Sequence, residues 1–246
     1  MTASTATQPI SSLSLSDLKE TFGLIRDRTD PFFQHWLDRV ALLSDYEHQA
    51  LARLKLNYEN IIETNPLEEV VKLVVVAPLL DLAGFYQPPF SIRTEDSTRL
   101  IVPEGDRTFT GSIDVLVVQK KFWILVIESK QSRFDVMSGI PQALSYMLAQ
   151  PPTAQTSRTQ AISDDDRGEI DRFGLVTNGR EVMFLKLSFG QQQTQGETDR
   201  MRIYSQSRVY QVIETEEDLT KILQGLKAIG QRLQSHLAND KGQRRA

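Results

Sequence analysis

Two adjacent segments rich in Val and Ile constrain the fold more than any other feature of this sequence. They span residues 110–119 and 122–129, and only two lysines separate them. A connection this short can only be a tight turn, so the two segments must form antiparallel neighbouring strands. The second segment is apolar at nearly every position, which is typical of a strand covered on both faces. It therefore belongs in the centre of a sheet.

The remaining patterns predict an α/β fold with a mixed sheet. Further strands are predicted from short apolar segments, two of which flank Asn178-Gly179, a strong hairpin signal: residues 90–92, 100–102, 173–176, 182–185, 201–204 and 209–212. Helices are predicted after capping residues and over apolar stripes: from Ser14, from Asp30 and from Ser44, and over residues 67–84, 140–149 and 216–237. A helix between strands returns the chain to the sheet, which allows parallel as well as antiparallel neighbours.

The helix predicted over residues 67–84 has almost no polar face, so we expect it to be buried. Pro78 lies inside this helix and removes one backbone hydrogen bond. We therefore expect the helix to be kinked or tightened near Pro78 and to end at Gly84.

Composition argues against several kinds of site. The 246 residues include no cysteine, and His35, His48 and His236 are far apart, so no zinc or thiolate site is expected. The acidic run at residues 164–166 lies in a polar loop, where we interpret it as solvated. The net charge of −4 gives no general attraction to nucleic acid. A nucleic-acid partner would need a local basic patch and metal ions.

No segment is expected to enter a membrane. Residues 1–13 are rich in Ser and Thr and lack the apolar stretch of a signal peptide, so we interpret them as a disordered N-terminus. No apolar run reaches membrane-spanning length. We therefore expect a cytoplasmic protein.

Charged residues at the end of the most apolar strand need an explanation, because unpaired buried charge is costly. Glu128 and Lys130 lie on one face of this strand, and Ser129 points the other way. Asp114 lies in the preceding strand, and Lys121 is seven residues from both Asp114 and Glu128. A hairpin centred on Lys121 places the two carboxylates nearly opposite each other, whereas a shift of one residue would put them on opposite faces.

This set of residues favours metal-assisted hydrolysis of a phosphate ester. The carboxylates of Asp114 and Glu128, with the backbone carbonyl of Ser129, are oxygen ligands suited to Mg²⁺ (or Mn²⁺). Such a metal lowers the pKa of a water molecule and neutralises charge that builds on the phosphate. Lys130 can position the attacking water or stabilise the transition state. The alternative is a Glu–Lys pair beside an unrelated aspartate, because the E-x-K triplet is common by chance.

Gln142 and Tyr146 lie one turn apart on the next predicted helix and face the same way. Taken alone, they are one polar and one aromatic residue on a half-buried face. In the functional interpretation this face lines the same cleft, and Gln142 contacts the site or the phosphate backbone.

Together these segments resemble the PD-(D/E)XK nucleases, and within them the N-terminal nuclease domain of type I restriction enzyme R subunits in its stand-alone cyanobacterial form. The resemblance covers about residues 67–187 and lies in an ordered series of motifs: Gly111-Ser112-Ile113-Asp114, Ile127-Glu128-Ser129-Lys130, Gln142-Ala143-Leu144-Ser145-Tyr146 and residues 173–179. Ile113 stands where the family has its proline. The sequence contains no GxxxxGK[ST] loop, so neither an ATP motor nor type I restriction itself is expected.

The resemblance implies a restriction-endonuclease-like αβββαβ core, Mg²⁺ dependence and DNA as the substrate. The implied site residues are Asp114, Glu128, Lys130 and Gln142 in catalysis, and Asp114, Glu128, Glu69 and the backbone carbonyl of Ser129 in metal binding. Glu69 is assigned by its spacing on the first core helix. Because Glu68 is adjacent, either glutamate could instead interact with the helix dipole in the first turn.

The expected division of the chain follows from these patterns. Residues 1–13 form a disordered N-terminus, and residues 14–63 form a helical segment packed on the core. Residues 64–238 form the nuclease-like domain, and residues 239–246 form a basic tail.

Two other functions are consistent with the sequence. A catalytically inactive module would keep the fold and use its acidic cleft as a scaffold or a surface for partner proteins. An RNA nuclease, or one acting on a structured DNA intermediate, would keep the chemistry and change the substrate. The N-terminal helices could form a homodimer, cover the cleft or bind a protein partner, and their apolar stripes do not decide between these roles.

Overall fold

The computed structural model of the chain describes residues 6–38, 40–101, 107–119, 122–131, 133–149, 171–194 and 197–243. The polar loop predicted over residues 150–169, with its acidic run, lies outside the described residues, as do the two lysines of the predicted turn between the central strands. No helix in the described ranges is long and apolar enough to cross a membrane.

The helices and strands alternate along the chain. The helices are α1 (Leu15–Phe22), α2 (Phe32–His35), α3 (Asp45–Ile62), α4 (Glu68–Val71), α5 (Ala77–Leu82), α6 (Ile140–Leu148) and α7 (Glu216–Gln243). The strands are β1 (Ala6–Pro9), β2 (Leu24–Arg26), β3 (Ser91–Ile101), β4 (Arg107–Gln119), β5 (Phe122–Ser129), β6 (Arg172–Thr177), β7 (Glu181–Thr194), β8 (Glu197–Gln206) and β9 (Tyr210–Gln211).

The nine strands of the described residues join one sheet in the order β1-β4-β5-β6-β7-β8-β2, with β3 also paired to β4 and β9 to β7. The sheet is mixed: β1 is parallel to β4, β5 to β6 and β2 to β8, whereas the other pairs are antiparallel. The pair β5–β6 is parallel because α6 lies between these strands in the chain and allows a crossover. The predicted α/β class and mixed sheet are confirmed, and β5 lies inside the sheet as predicted.

Helices cover both faces of the sheet. On β4, Val115 and Val117 belong to a core shared with α3, α5 and α7, whereas Leu116 and Val118 belong to a second core shared with α1 and α6. This alternation follows from the two-residue period of a strand. Ile113 also belongs to the second core, so the strict alternation is interrupted next to Asp114.

The N-terminus differs from the expectation of disorder over residues 1–13. Residues 6–9 form β1 alongside β4, and the side chains of Ile10 and Leu13 are buried in the core that contains α6. The segment is rich in Ser and Thr, so these two apolar residues provide most of the apolar surface that it buries. Residues 1–5 lie outside the described part of the chain.

The helix predicted over residues 67–84 is interrupted. A π-helical segment, Lys72–Val76, separates α4 from α5, and the amide of Ala77 bonds to the carbonyl of Lys72, five residues earlier. Pro78 follows directly, so the disturbance lies where the missing N–H predicts it. Burial is less complete than expected, because Leu73 is 71% exposed.

Local signals were accurate at helix starts and at one hairpin. Ser14 with Asp17 and Ser44 with Glu47 form the capping boxes that their spacing predicts. The turn at Asn178-Gly179 connects β6 to β7. The two short strands predicted over residues 90–92 and 100–102 are wrong in extent, because β3 runs without interruption from Ser91 to Ile101.

Candidate metal and catalytic centre

Asp114 and Glu128 face each other across the β4–β5 ladder. Val115 pairs with Ile127 and Leu116 with Val126, which is the register that places Asp114 opposite Glu128. A bulge follows between Val117 and Val118, so the end of the hairpin is offset by one residue while the site keeps the predicted register. Both carboxylates are buried, Asp114 being 6% exposed and Glu128 0%.

The backbone of Ser129 fixes the Asp114 carboxylate. The Ser129 N–H donates a hydrogen bond to Oδ2 of Asp114 over 2.7 Å. This contact differs from the metal-binding role predicted for the Ser129 carbonyl, which stays a prediction. A hydrogen bond from an amide to a carboxylate favours the charged form, so it partly offsets the burial of Asp114.

Lys130 connects the carboxylates to α6. Its Nζ lies 2.5 Å from Oε1 of Glu128 and donates to Oε1 of Gln142 over 3.0 Å. The Lys130 side chain is about one-fifth exposed, so the ammonium stands between a buried carboxylate and solvent. The predicted grouping of Glu128, Lys130 and Gln142 is therefore present in the geometry.

Tyr146 completes a chain of hydrogen bonds from the helix to β4. Nε2 of Gln142 donates to the Tyr146 hydroxyl over 3.0 Å, and that hydroxyl donates to the Ser112 carbonyl over 2.8 Å. A Cβ on Gly111 would lie 2.9 Å from the Tyr146 hydroxyl, so this glycine allows the close approach of α6 to β4. Tyr146 thus holds the α6 face against the strand that carries Asp114.

Glu68, and not Glu69, reaches the site. The Glu68 carboxyl is close enough to donate a hydrogen bond to Asp114, whereas Glu69 is exposed. Adjacent helical residues point about 100° apart, so only one of the two can face the sheet. The sequence-based choice of Glu69 is corrected to its neighbour.

Lys72 contacts both Asp114 and Glu95, and neither Lys72 nor Glu95 was predicted from the sequence to lie at the site. Nζ of Lys72 lies 3.9 Å from Oδ1 of Asp114 and 3.2 Å from Oε1 of Glu95. Glu95 is the β3 residue in register with Asp114, but its pair is missing from the ladder and its φ is 51°. A positive φ in a non-glycine residue costs free energy and is concentrated at functional sites. That outlier is invisible in the sequence pattern.

The carboxyl groups of the site have pKa values above those of ordinary carboxyl side chains. Burial, with the nearby Asp114 charge, raises the pKa of Glu128 to about 8. Burial and the same neighbour raise the pKa of Glu68 to about 7. Burial also raises the pKa of Asp114, although the Ser129 amide and Lys72 oppose the shift. The hydrogen bond between the two carboxyls raises the pKa of Glu68 and lowers the pKa of Asp114, so Glu68 is the proton donor of this pair.

The same negative charges affect the pKa of Lys72. Burial lowers the pKa of Lys72, but attraction to Asp114 and the contact with Glu95 outweigh burial, and the pKa is raised. Lys72 therefore stays charged beside the carboxylates.

The donor set fits a divalent cation held by few protein ligands. Oε2 of Glu128 is buried and has no hydrogen-bond partner among the described residues. A buried carboxylate oxygen without a partner needs an explanation, and an ion is one of the few available. The described residues contain no ready-made group of three or more His, Asp or Glu side chains around one point. Mg²⁺ is commonly bound by one or two carboxylates and keeps several waters, so Asp114 and Glu128 are sufficient.

Comparisons with known proteins give little beyond this geometry. No family model matches the sequence, and no curated protein matches it. One solved structure with detectable similarity is a fragment assigned to the HsdR subunit of a type I restriction enzyme from Vibrio vulnificus YJ016. The identity is 21%, the TM-score is 0.32, and the match covers 64% of this chain and 26% of that chain. The chain thus spans about a quarter of that structure, and the function has to be argued from the site.

Proposed function

We propose that this protein is a divalent-metal-dependent nuclease with a PD-(D/E)XK-type site, and that DNA is its substrate. The observation that carries the proposal is the buried pair of Asp114 and Glu128, facing each other on adjacent strands with the Lys130 ammonium 2.5 Å from Glu128. Two buried carboxylates so arranged destabilise a fold by mutual repulsion unless a cation or a proton compensates. A site for chemistry on a phosphate explains that cost.

The site residues have separate roles in the proposed reaction. Asp114 and Glu128 hold the metal, which supplies positive charge at the phosphate and makes a water molecule more acidic. Glu68 adjusts the charge on Asp114 through their shared proton. Lys130 donates to a non-bridging phosphate oxygen, where negative charge develops. Gln142 orients Lys130 through the contact already present between them.

The reaction is a hydrolysis of one phosphodiester bond. The oxygen of a water molecule bonds to phosphorus, and the bond from phosphorus to the leaving oxygen breaks. One proton of the water is released to solvent, and the leaving oxygen takes up one proton. No ATP is consumed, in agreement with a sequence that has no nucleotide-binding GxxxxGK[ST] loop.

The test is metal binding and nicking measured on the same protein samples. Calorimetric titration of Mg²⁺ or Mn²⁺ into the wild type should show binding that is lost in Asp114→Ala. Nicking of supercoiled plasmid should require the metal and should fall by a factor of about 100 to 1,000 in Lys130→Ala, as when one stabilising donor is removed from a transition state. Asp45→Ala is the matched control, because Asp45 is an exposed carboxylate in the first turn of α3. Nicking by Asp114→Ala or Lys130→Ala at the wild-type rate would overturn the proposal.

A second candidate is an inactive module that uses the same fold to bind a partner protein. The direct contact of Lys130 with Glu128 favours this candidate, because the Lys130 ammonium compensates much of the negative charge of the site without a metal. Thermal unfolding of Asp114→Asn distinguishes the candidates. A higher melting temperature in that variant, with no shift on adding Mg²⁺ to the wild type, would support the inactive module.

A further inference from the structure

The segment that leaves the catalytic strand carries an exposed arginine and an exposed phenylalanine directly beside the candidate centre. Arg133 and Phe134, which we name the stacking turn, follow Lys130 by three and four residues. Phe134 is 46% exposed, and the Arg133 guanidinium lies 5.0 Å from the centre of its ring. An exposed aromatic ring with a guanidinium beside it is a surface on which a planar ligand can stack.

The stacking turn is fixed and does not depend on a flexible loop for its position. The Phe134 N–H donates to the Gln131 carbonyl over 3.0 Å, which closes a turn immediately after Lys130. Nδ2 of Asn178 donates to the Phe134 carbonyl over 2.8 Å. Asn178 is itself held, because its Oδ1 accepts from the backbone N–H of Glu181 over 2.8 Å. The backbone of Phe134 is thus held by the β6–β7 hairpin as well as by Gln131.

The distance to the catalytic residues suits a nucleotide within a few steps of the cleaved bond. In a closed turn the first and fourth Cα atoms lie within about 7 Å, and consecutive Cα atoms are about 3.8 Å apart. The Cα atoms of Lys130 and Phe134 are therefore at most about 11 Å apart. That is roughly three nucleotide steps at the 3.4 Å rise of a stacked strand. The short 3₁₀ helix Val136–Gly139, which follows the turn, also packs on the site, since a Cβ on Gly139 would lie 3.4 Å from Cγ of Glu128.

Charge favours stacking over general electrostatic attraction as the source of affinity. The chain carries a net charge of −4, so it repels a polyanion on average. Stacking of a base on an aromatic ring is independent of that charge, and an arginine beside the ring adds a contact to the base or to a phosphate. Among the described residues, Arg133 has no carboxylate partner that would compete.

We infer that the stacking turn of Arg133 and Phe134 binds an unpaired nucleobase within about three nucleotides of the scissile phosphate, so that the substrate is nucleic acid with a single-stranded segment near the cleavage point. This inference rests on the proposed nuclease function for the identity of the site. A base inside an intact duplex presents only its edges, and its faces are covered by its neighbours. A ring at this position therefore selects single strands, tails or gaps over uninterrupted duplex.

The experiment measures binding without cleavage. Fluorescence anisotropy in EDTA compares three labelled oligodeoxynucleotides: a single strand, a duplex with a single-stranded tail and a blunt duplex. The variants are Phe134→Ala, Phe134→Tyr, which keeps a ring, and Tyr46→Ala, which removes an exposed ring on α3 as the matched control. Melting temperatures confirm that each variant is folded.

The wild type is expected to bind the single strand and the tailed duplex more tightly than the blunt duplex. Phe134→Ala should weaken the first two by about five- to a hundred-fold, the range for one lost stacking contact, and Phe134→Tyr and Tyr46→Ala should not. Unchanged binding by Phe134→Ala would overturn the inference, as would an equal loss on the blunt duplex or no binding by the wild type to any of the three. Binding that depends on Phe134 without cleavage in Mg²⁺ would overturn the nuclease and its scissile phosphate, and would support only the binding of an unpaired base by the stacking turn.

Discussion

The amide nitrogen of Ser129 lies 2.7 Å from Oδ2 of Asp114 and joins the end of β5 to the middle of β4. This single contact sets the geometry of the candidate site, because Glu128 and Lys130 flank Ser129 in sequence and share the opposite face of the strand. Any movement of β5 along β4 would break this hydrogen bond and would also separate the carboxylates of Asp114 and Glu128. The site is therefore as rigid as the ladder that carries it.

The raised pKa of Glu128 predicts that the metal-free protein loses stability as the pH rises. The native carboxyl has a pKa of about 8, against 4.5 for the ordinary side chain. Between these values the native state binds more protons than the unfolded state, so the free energy of unfolding falls with pH. Stability from this group is fully present below pH 4.5 and is lost as the pH passes 8.

Glu128→Gln should remove that dependence. The variant keeps a neutral side chain at every pH, so its melting temperature should vary less between pH 5 and pH 8.5 and should exceed that of the wild type at pH 8.5 by a few degrees, at about 2–4 °C per kcal/mol. Differential scanning calorimetry in EDTA makes the measurement. A variant less stable than the wild type at pH 8.5 would show instead that the ion pair of Glu128 with Lys130 outweighs the cost of burial.

Glu68 and Glu69 provide a matched pair for testing the third carboxylate. Glu68→Gln removes the group that shares a proton with Asp114, whereas Glu69→Gln removes an exposed neighbour of the same type. We expect Glu68→Gln to weaken Mn²⁺ binding or metal-dependent nicking by about 10- to 100-fold, as for other residues that support a metal ligand. Glu69→Gln should behave as the wild type. The reverse result would restore the assignment made from spacing.

The choice between these glutamates shows where sequence reasoning stops. Spacing along the chain located the helix but did not show which of its residues face the sheet. The π-helical segment after α4 adds to this problem, because it changes which side of the helix the residues after it face. Lys72 and Glu95 were missed for a related reason. The contacts of Lys72 with Asp114 and with Glu95 join residues that are distant in sequence and carry no motif, and the positive φ of Glu95 has no sequence signature.

Other features were predictable because they depend on local sequence patterns or on the symmetry of a hairpin about its turn. The register of Asp114 and Glu128 follows from a turn midpoint and a two-residue period, and the bulge between Val117 and Val118 alters only the end of the hairpin. The α/β class follows from the order of segments. Strand β1 could not be predicted, because it pairs with residues about a hundred positions later and only Ile10 and Leu13 supply apolar burial.

Tyr146→Phe tests whether the hydroxyl positions the catalytic face of α6. The variant loses the hydrogen bond to the Ser112 carbonyl and the contact with Gln142. A lost hydrogen bond of this kind costs about 1 kcal/mol of stability. We also expect kcat of plasmid nicking to fall by about tenfold with KM little changed, because Gln142 and Lys130 lose their support. Tyr86→Phe, which removes a hydroxyl bonded to the Ala77 carbonyl, is the control. An equal fall in kcat in both variants would contradict a positioning role for Tyr146.

Gly139→Ala tests how tightly the segment between β5 and α6 packs on the site. A Cβ at this position would lie 2.5 Å from Cγ1 of Val176, which is too close to be accommodated without movement, and 3.4 Å from Cγ of Glu128. Overpacking of this kind costs about 1–3 kcal/mol. The segment can relieve the clash only by moving away from β6, and it would then draw Gln142 from Lys130. We therefore expect a lower melting temperature together with slower nicking.

The control for that variant is Gly190→Ala, whose Cβ would meet its nearest neighbour among the described residues, Cβ of Met201, at an ordinary 3.8 Å. Both substitutions add one methyl group to a glycine without a positive φ, so they differ in the space available and in their distance from the site. Gly190→Ala should keep the wild-type melting temperature and nicking rate. If Gly139→Ala melts earlier but nicks at the wild-type rate when folded, the close packing supports the fold alone, and the position of α6 does not depend on it.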